Sequence, residues 1–241
     1  MKVWVFTVSW NEADMMPFFL RHYSAFADRI VVWDENSTDG TREIVAACPK
    51  AEIRTWPWKG LDDDRFIEAC GSWYKMARGR ADWVMWPDVD ELLYHPEPLK
   101  VLSTTRHDVL FAQGLALIGN GPIPTGPGQL YEQIKTGYLQ DNYTKAIIWR
   151  PGIEISHTHG RHDAPTLCTG SIDPEVKFKL LHCHYFSPEY TLKRNRRNFE
   201  RAVNKRFAWN YTPAVEAKKH RGTHTWVQDL IDTGQLVQVV P

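Results

Sequence analysis

Three carboxylates fall within four residues at Asp88-Val89-Asp90-Glu91, directly after the apolar run Trp83-Val84-Met85-Trp86. Hard divalent cations such as Mg2+ and Mn2+ take oxygen ligands, and one or two carboxylates joined by substrate phosphates are a usual protein site for them. An open α/β sheet binds ligands in the crevice outside the carboxyl ends of its strands, and a carboxylate cluster at the end of a buried strand would stand there. A solvated acidic turn is the plainer reading of so short a pattern, so the surrounding elements decide between the two.

Those elements alternate. Val3 to Val8 and Ile30 to Trp33 are continuous apolar runs, as expected of parallel strands covered on both faces. Met16, Phe19, Leu20 and Tyr23 recur at helical spacing, with Asp14 as an expected N-cap and Pro17 tolerable in the first turn. Ile44, Val45, Ala47 and Cys48 outline a second helix opened by Thr38 or Asp39. Phe66, Cys70, Trp73 and Ala77 outline a third, opened by Asp62, Asp63 or Asp64. Strand and helix in turn predict a doubly wound α/β domain. The polar clusters Ser9 to Glu12, Asp34 to Thr41 and Asp88 to Glu91 then fall at successive strand ends. Each could be a local cap or turn, but together they outline one binding site.

The segments NEADMMPFFLRHY, VVWDENSTDGT and ADWVMWPDVDELL resemble, in order and spacing, the nucleotide-sugar-binding half of glycosyltransferase family 2 and its relatives of the GT-A fold. The resemblance covers roughly residues 1 to 95. It departs from the family pattern at Asn36, where a small residue is usual. It implies a Rossmann-like nucleotide-diphospho-sugar transferase with a mainly parallel sheet, a mixed acceptor-side half and C-terminal helices. It also implies transfer of a hexosyl or related group from a nucleoside-diphosphate sugar to an acceptor hydroxyl, with Mn2+ or Mg2+ as cofactor. Asn11, Glu12 and Asp34 would then line the nucleoside pocket with Asp34 facing the base, Asp88 would approach the ribose or the metal, and Asp90 would hold the metal on the diphosphate. A cation there would stabilise the charge growing on the leaving nucleoside diphosphate. Arg65, at the start of the third helix, is placed either to meet a phosphate or simply to be exposed beside its acidic neighbours.

The chain has 241 residues, enough for one large or two small domains. The expected division is a donor half over residues 1 to 105, an acceptor-side half over 106 to 186 and a basic, largely helical segment over 187 to 241. Lysine and arginine balance aspartate and glutamate at 29 each, which excludes the global basic field of a nucleic-acid binder. Cys48, Cys70, Cys168 and Cys183 lack paired spacing, pointing to reduced thiols and a cytoplasmic or cytosol-facing setting. The chain enters a strand almost at once, so a signal peptide or anchor is not expected. Eleven tryptophans could serve sugar rings, but Trp4, Trp33, Trp83 and Trp86 lie in strand runs and read as core.

After residue 118 the glycine- and proline-rich stretch GNGPIPTGPG reads as a loop, either an acceptor-side lid or plain solvent loop, between strands expected at Val109 to Ile118, Lys145 to Trp149 and Val176 to His182. Histidines concentrate here: His157, His159 and His162, then His182 and His184 around Cys183. Either H-x-H pair could grip a metal from one face of a strand, though the spacing fits no common zinc pattern. By the family resemblance, a late-strand histidine often completes the metal shell, which favours His182, with His184 open. For an inverting reaction a base must take the acceptor proton; Asp163 is the first expectation, then Asp173 and Glu154.

From Lys193 to Arg221 ten basic residues face two glutamates, while Leu192, Phe199, Val203 and Phe207 form an apolar stripe. Such a helix can pack on the domain, lie on an anionic membrane surface, or close Lys193, Arg194 or Arg197 over the donor diphosphate. The acceptor would be a glycan, a lipid-linked molecule or a protein. Two other classes share the fold. A sugar-nucleotide nucleotidyltransferase would open with a glycine-rich basic loop where Ser9-Trp10-Asn11-Glu12 stands, and a non-catalytic carbohydrate-binding relative would have lost Asp88 and Asp90.

Overall fold

The computed structural model describes residues 1–57, 60, 62–201 and 226–240. Contacts divide it into two compact units; β6 spans Val109–Ile118 and β11 spans Phe178–Tyr185.

The first unit is the α/β core. β1 (Val3–Ser9), β2 (Arg29–Asp34), β3 (Ala51–Thr55) and β4 (Trp83–Met85) are parallel and lie in the order β3-β2-β1-β4. These four strands are the parallel core expected from the apolar runs, set within a mixed sheet, and the strand order reverses between β1 and β4, the kind of point at which open α/β sheets bind ligands beyond the carboxyl ends. β8 (Lys145–Trp149) adds antiparallel to β4, and β6 antiparallel to β8. Burial is nearly complete along β1, β2 and β4, and Trp83 in β4 and Trp86 just after it are both 0% exposed. β5 (Glu91–Tyr94) leaves the acidic cluster directly and pairs with β11.

Helices α1 (Met16–Ser24), α2 (Thr41–Ala46), α3 (Asp63–Trp73) and α4 (Pro98–Thr104) and the short antiparallel pair β9 (Ile155–Ser156) and β10 (Leu167–Cys168) also belong to this unit. α1 presents Met16, Phe19, Leu20 and Tyr23 to the core, but its N-cap is Met15 rather than Asp14, and no side chain caps it. The backbone carbonyl of Glu12 takes the first turn instead, accepting from Met15 and Met16 N–H at 3.0 and 2.8 Å. α2 starts from Gly40 at φ 95°, a left-handed conformation that glycine adopts without strain, while Asp39 accepts from the Thr41 N–H and hydroxyl at 3.1 and 2.6 Å.

The second unit holds the end of β6, α5 (Leu130–Gln133), β7 (Thr136–Leu139), the end of β11, α6 (Pro188–Arg201), a helix over 226–232 and β12 (Val237–Gln238). β7 pairs antiparallel with both β6 and β12. Ala116, Ile118, Val227 and Leu230 form its core, joined by Tyr138, Tyr185 and Trp226. Gly137 is required in β7, since a Cβ there would meet Ala116 O at 2.6 Å. α6 is basic and carries a Lys193–Glu189 ion pair at 3.0 Å, while Tyr190 is buried. Val203 and Phe207 of the expected stripe lie outside the described residues. No helix among the described residues is long and apolar enough to cross a membrane.

Two core histidines make the fold acid-sensitive. Burial pulls His22 down to about 4, partly offset by its hydrogen bond with Leu93 O. Burial and then the Arg161 charge pull His157 down to about 4 as well, against its hydrogen bond with Ala146 O. In the unfolded chain both titrate near pH 6.5, so the unfolded state binds more protons below that pH. Their contribution is complete above about pH 6.5 and is lost as pH falls toward 4, at about 1.4 kcal/mol per pH unit for each histidine. Urea denaturation at pH 5 should therefore give a stability on the order of 3 kcal/mol below that at pH 7. Equal stabilities at the two pH values would show that neither histidine is held neutral.

Candidate metal and nucleotide site

The ends of β1 and β2 are tied together residue by residue. Asn11 and Asn36 both adopt left-handed backbone, at φ 53° and 56°. Asparagine tolerates that conformation better than other residues with a Cβ, which accounts for Asn36 standing where a small residue is usual. The Asn11 N–H donates to Ser37 Oγ at 2.8 Å, and the Thr38 N–H donates to Asn11 Oδ1 at 2.8 Å. Glu12 N–H donates to Thr41 Oγ1 at 2.8 Å and Ala13 N–H to Asp39 Oδ2 at 3.0 Å.

Asp34 lies beneath these loops. It is 0% exposed. Its Oδ1 accepts from the Ser9 and Ser37 hydroxyls at 3.1 and 2.5 Å, and its Oδ2 from Ser37 N–H and Arg42 at 3.0 and 2.6 Å. The side chain expected to face a base is thus turned inward, where it holds the β2 turn. Glu12 is also buried, at 8% exposure, whereas Arg65 is exposed on the first turn of α3.

The acidic cluster separates into two roles. Asp88, half-buried, accepts from Arg161 at Oδ1 over 2.6 Å and from Lys145 at Oδ2 over 3.3 Å. Lys145 also bonds Glu91, whose other oxygen accepts the Asp88 N–H at 3.0 Å. Burial pulls Lys145 down, but Glu91 and Asp88 outweigh it and hold the ammonium above its usual range. Neither Lys145 nor Arg161 was marked by the sequence: a lysine opening a strand and an arginine among histidines carry no local signature.

Asp90, 1% exposed, belongs to a different group. One ligand atom each from Asp90, His182 and His184 lie within 4.8 Å of one another, and this is the only such set of three or more metal-binding side chains among the described residues. Asp90 immediately precedes β5, which pairs with β11, the strand carrying both histidines. Alternation puts His182 and His184 on one face with ring centroids 5.7 Å apart, and turns Cys183 into the core. Ligands 2.0–2.2 Å from a common ion stand up to about 4.4 Å apart, which is close to the spacing of this set. Three protein ligands leave further coordination positions open to water or other oxygen ligands.

The other histidines are dispersed. His157 hydrogen-bonds Ala146 O, His159 meets Asp64 at 2.7 Å, and the His162 and Tyr143 rings form a T-shaped pair with centroids 4.9 Å apart. Cys168 donates to Gly170 O at 3.3 Å, and all four cysteines are free thiols. Asp163 is exposed and accepts from the Thr158 hydroxyl at 3.1 Å. Asp173 donates its N–H to Val109 O at the start of β6, on the sheet edge opposite the carboxyl ends of β1, β2 and β4. Glu154 is held below the usual carboxylate range by hydrogen bonds from Lys75 and Arg78, at 2.8 and 2.7 Å.

No family model and no curated protein matches the chain. Among solved structures, glucosyl-3-phosphoglycerate synthase from Mycobacterium tuberculosis, in complex with Mn2+, uridine diphosphate and glucosyl-3-phosphoglycerate, is similar over 48% of this chain and 44% of its own, at 20% identity and a TM-score of 0.33. The same enzyme with Mg2+ and uridine diphosphate is similar over 48% of this chain and 43% of its own, at 18% identity and a TM-score of 0.34. HddC from Yersinia pseudotuberculosis, complexed with GMP-PN, is similar over 80% of this chain and 97% of its own, at 14% identity and a TM-score of 0.45. This chain spans less than half the length of the mycobacterial enzyme it matches.

Proposed function

We propose that the chain is a metal-dependent glycosyltransferase that moves a sugar from a nucleoside-diphosphate donor to an acceptor hydroxyl. The observation that carries this reading is the set Asp90, His182 and His184, one ligand atom of each within 4.8 Å of the others, with Asp90 in the acidic turn that follows β4. The ordered motifs of the first 95 residues support it by resemblance.

Asp90 supplies the charge of the ligand set, and His182 and His184 supply neutral nitrogens. Imidazole ligands shift preference away from Mg2+ toward Mn2+. Asp90, His182 and His184 would hold the cation, which when bound would supply positive charge against that growing on a departing nucleoside diphosphate. The knitted loops at Asn11 to Ala13 and Asp34 to Thr41 present the nucleoside side of the site, with Asp34 setting their shape from beneath. Asp163, exposed and bonded by Thr158, is the candidate acceptor base.

A thermal-shift panel of nucleoside diphosphates, nucleoside triphosphates and nucleotide sugars, with and without Mn2+, tests this. A donor at a hundred times its Kd adds about 2.7 kcal/mol, which raises Tm by roughly 5–10 °C in a chain of this size. That shift should require nucleotide and metal together. No shift with any nucleotide would sink the reading, and a shift confined to a nucleoside triphosphate would favour nucleotidyl transfer.

A further inference from the structure

The first of the two aspartates in Asp88-Val89-Asp90 is committed to ion pairs, and its partners come from distant parts of the chain. Lys145, 3% exposed, opens β8; because β8 runs antiparallel to β4, this places the lysine at the carboxyl edge of β4, beside the acidic turn. Arg161, 1% exposed, bonds the other carboxylate oxygen of Asp88. It bonds Trp86 O as well, so it grips the chain at both ends of Trp86-Pro87-Asp88. Its backbone is left-handed at φ 61°, a conformation a residue with a long side chain keeps only when its surroundings hold it there. The Phe66 ring lies 5.1 Å from the guanidinium carbon.

Glu91 closes the frame. It bonds Lys145 by one carboxylate oxygen and accepts the Asp88 N–H by the other, while its own N–H donates to Asp88 O at 2.9 Å. Asp88 and Glu91 together balance Lys145 and Arg161, so the four side chains form a neutral network around the turn that carries Asp90. Both neighbours of the Val89-Asp90 pair are thereby fixed by backbone and side-chain bonds, and the direction of the Asp90 side chain follows from theirs.

We propose that Lys145, Glu91, Asp88 and Arg161 are positioning residues that hold Asp90 toward His182 and His184, with Asp88 serving the frame and not the metal. The inference rests on the metal site proposed above. A ligand that is aimed before the cation arrives loses less freedom on binding it, and groups supporting metal ligands typically change affinity by about 10- to 100-fold.

The test must separate position from charge, because removing Lys145 alone would leave excess negative charge that attracts a cation. The double substitution Lys145→Met with Glu91→Leu removes one charge of each sign and fills the space with apolar side chains, an exchange buried ion pairs often tolerate without loss of stability. Mn2+ binding is read by electron paramagnetic resonance titration of the metal ion alone, with melting temperature measured in parallel. The expected result is a Mn2+ Kd raised about tenfold in a protein that still melts cooperatively. A second neutral pair, Asp88→Asn with Arg161→Gln, should raise it similarly and serves if the first variant does not fold. Wild-type affinity in either folded variant would overturn the positioning role while leaving the metal site standing. Wild-type protein that binds no Mn2+, or binds it equally after Asp90→Asn, would overturn both.

Discussion

Replacing Asp90 with alanine should raise the Kd for Mn2+, measured by calorimetry with a saturating nucleoside diphosphate, by at least about a hundredfold, or about 2.7 kcal/mol. Asp90 is the single anionic member of the set with His182 and His184, and without it two neutral imidazoles face a divalent cation alone. Asp90→Asn keeps the shape and discards the charge, so it should lose nearly as much. Asp88 should not substitute, since both of its oxygens are held by Arg161 and Lys145. Unchanged affinity in Asp90→Ala would remove the metal from this turn.

The second large effect is expected at Asp34. Its four hydrogen bonds come from Ser9, Ser37 and Arg42, and deleting it leaves a cavity, two hydroxyls and a guanidinium without their acceptor. Breaking a buried, charge-assisted pair costs roughly 3–5 kcal/mol; Arg42 is partly solvated, so Asp34→Ala should lower unfolding free energy by about 3 kcal/mol in urea. Because Ser37 also bonds the Asn11 N–H, the variant should weaken binding of the free nucleoside diphosphate and of the full donor by similar factors. Normal stability with a loss confined to the sugar-bearing donor would instead place Asp34 against the donor sugar.

What the sequence disclosed and what it hid divide along physical lines. β1, β2 and β4 were legible because strands buried on both faces need uninterrupted apolar runs, and Val3 to Val8, Ile30 to Trp33 and Trp83 to Met85 have them. The acidic cluster was legible because it follows such a run directly. The choice between His182 and His184 could not be made from periodicity because strand geometry puts both on one face, and the structure brings both to Asp90. Asp14 looked like a cap by type, but a backbone carbonyl already satisfies the first turn of α1.

Lys145 and Arg161 were not legible because their significance lies in partners 54 to 73 residues away, set by an antiparallel strand pairing and a left-handed turn. The inward turn of Asp34 was hidden for a related reason. A carboxylate at a strand end can face a ligand or hold the next loop, and only the positions of Ser9, Ser37 and Arg42 decide which.

The most direct measurement is anomalous diffraction at the manganese edge from a crystal grown with Mn2+ and a nucleoside diphosphate. The account predicts a single strong peak about 2.0–2.2 Å from an Asp90 oxygen and from one nitrogen each of His182 and His184, with diphosphate oxygens completing the shell and Asp88 still on Arg161 and Lys145. A peak ligated by Asp88 with Asp90 turned away, or density for the nucleotide with no metal beside these three residues, would contradict it.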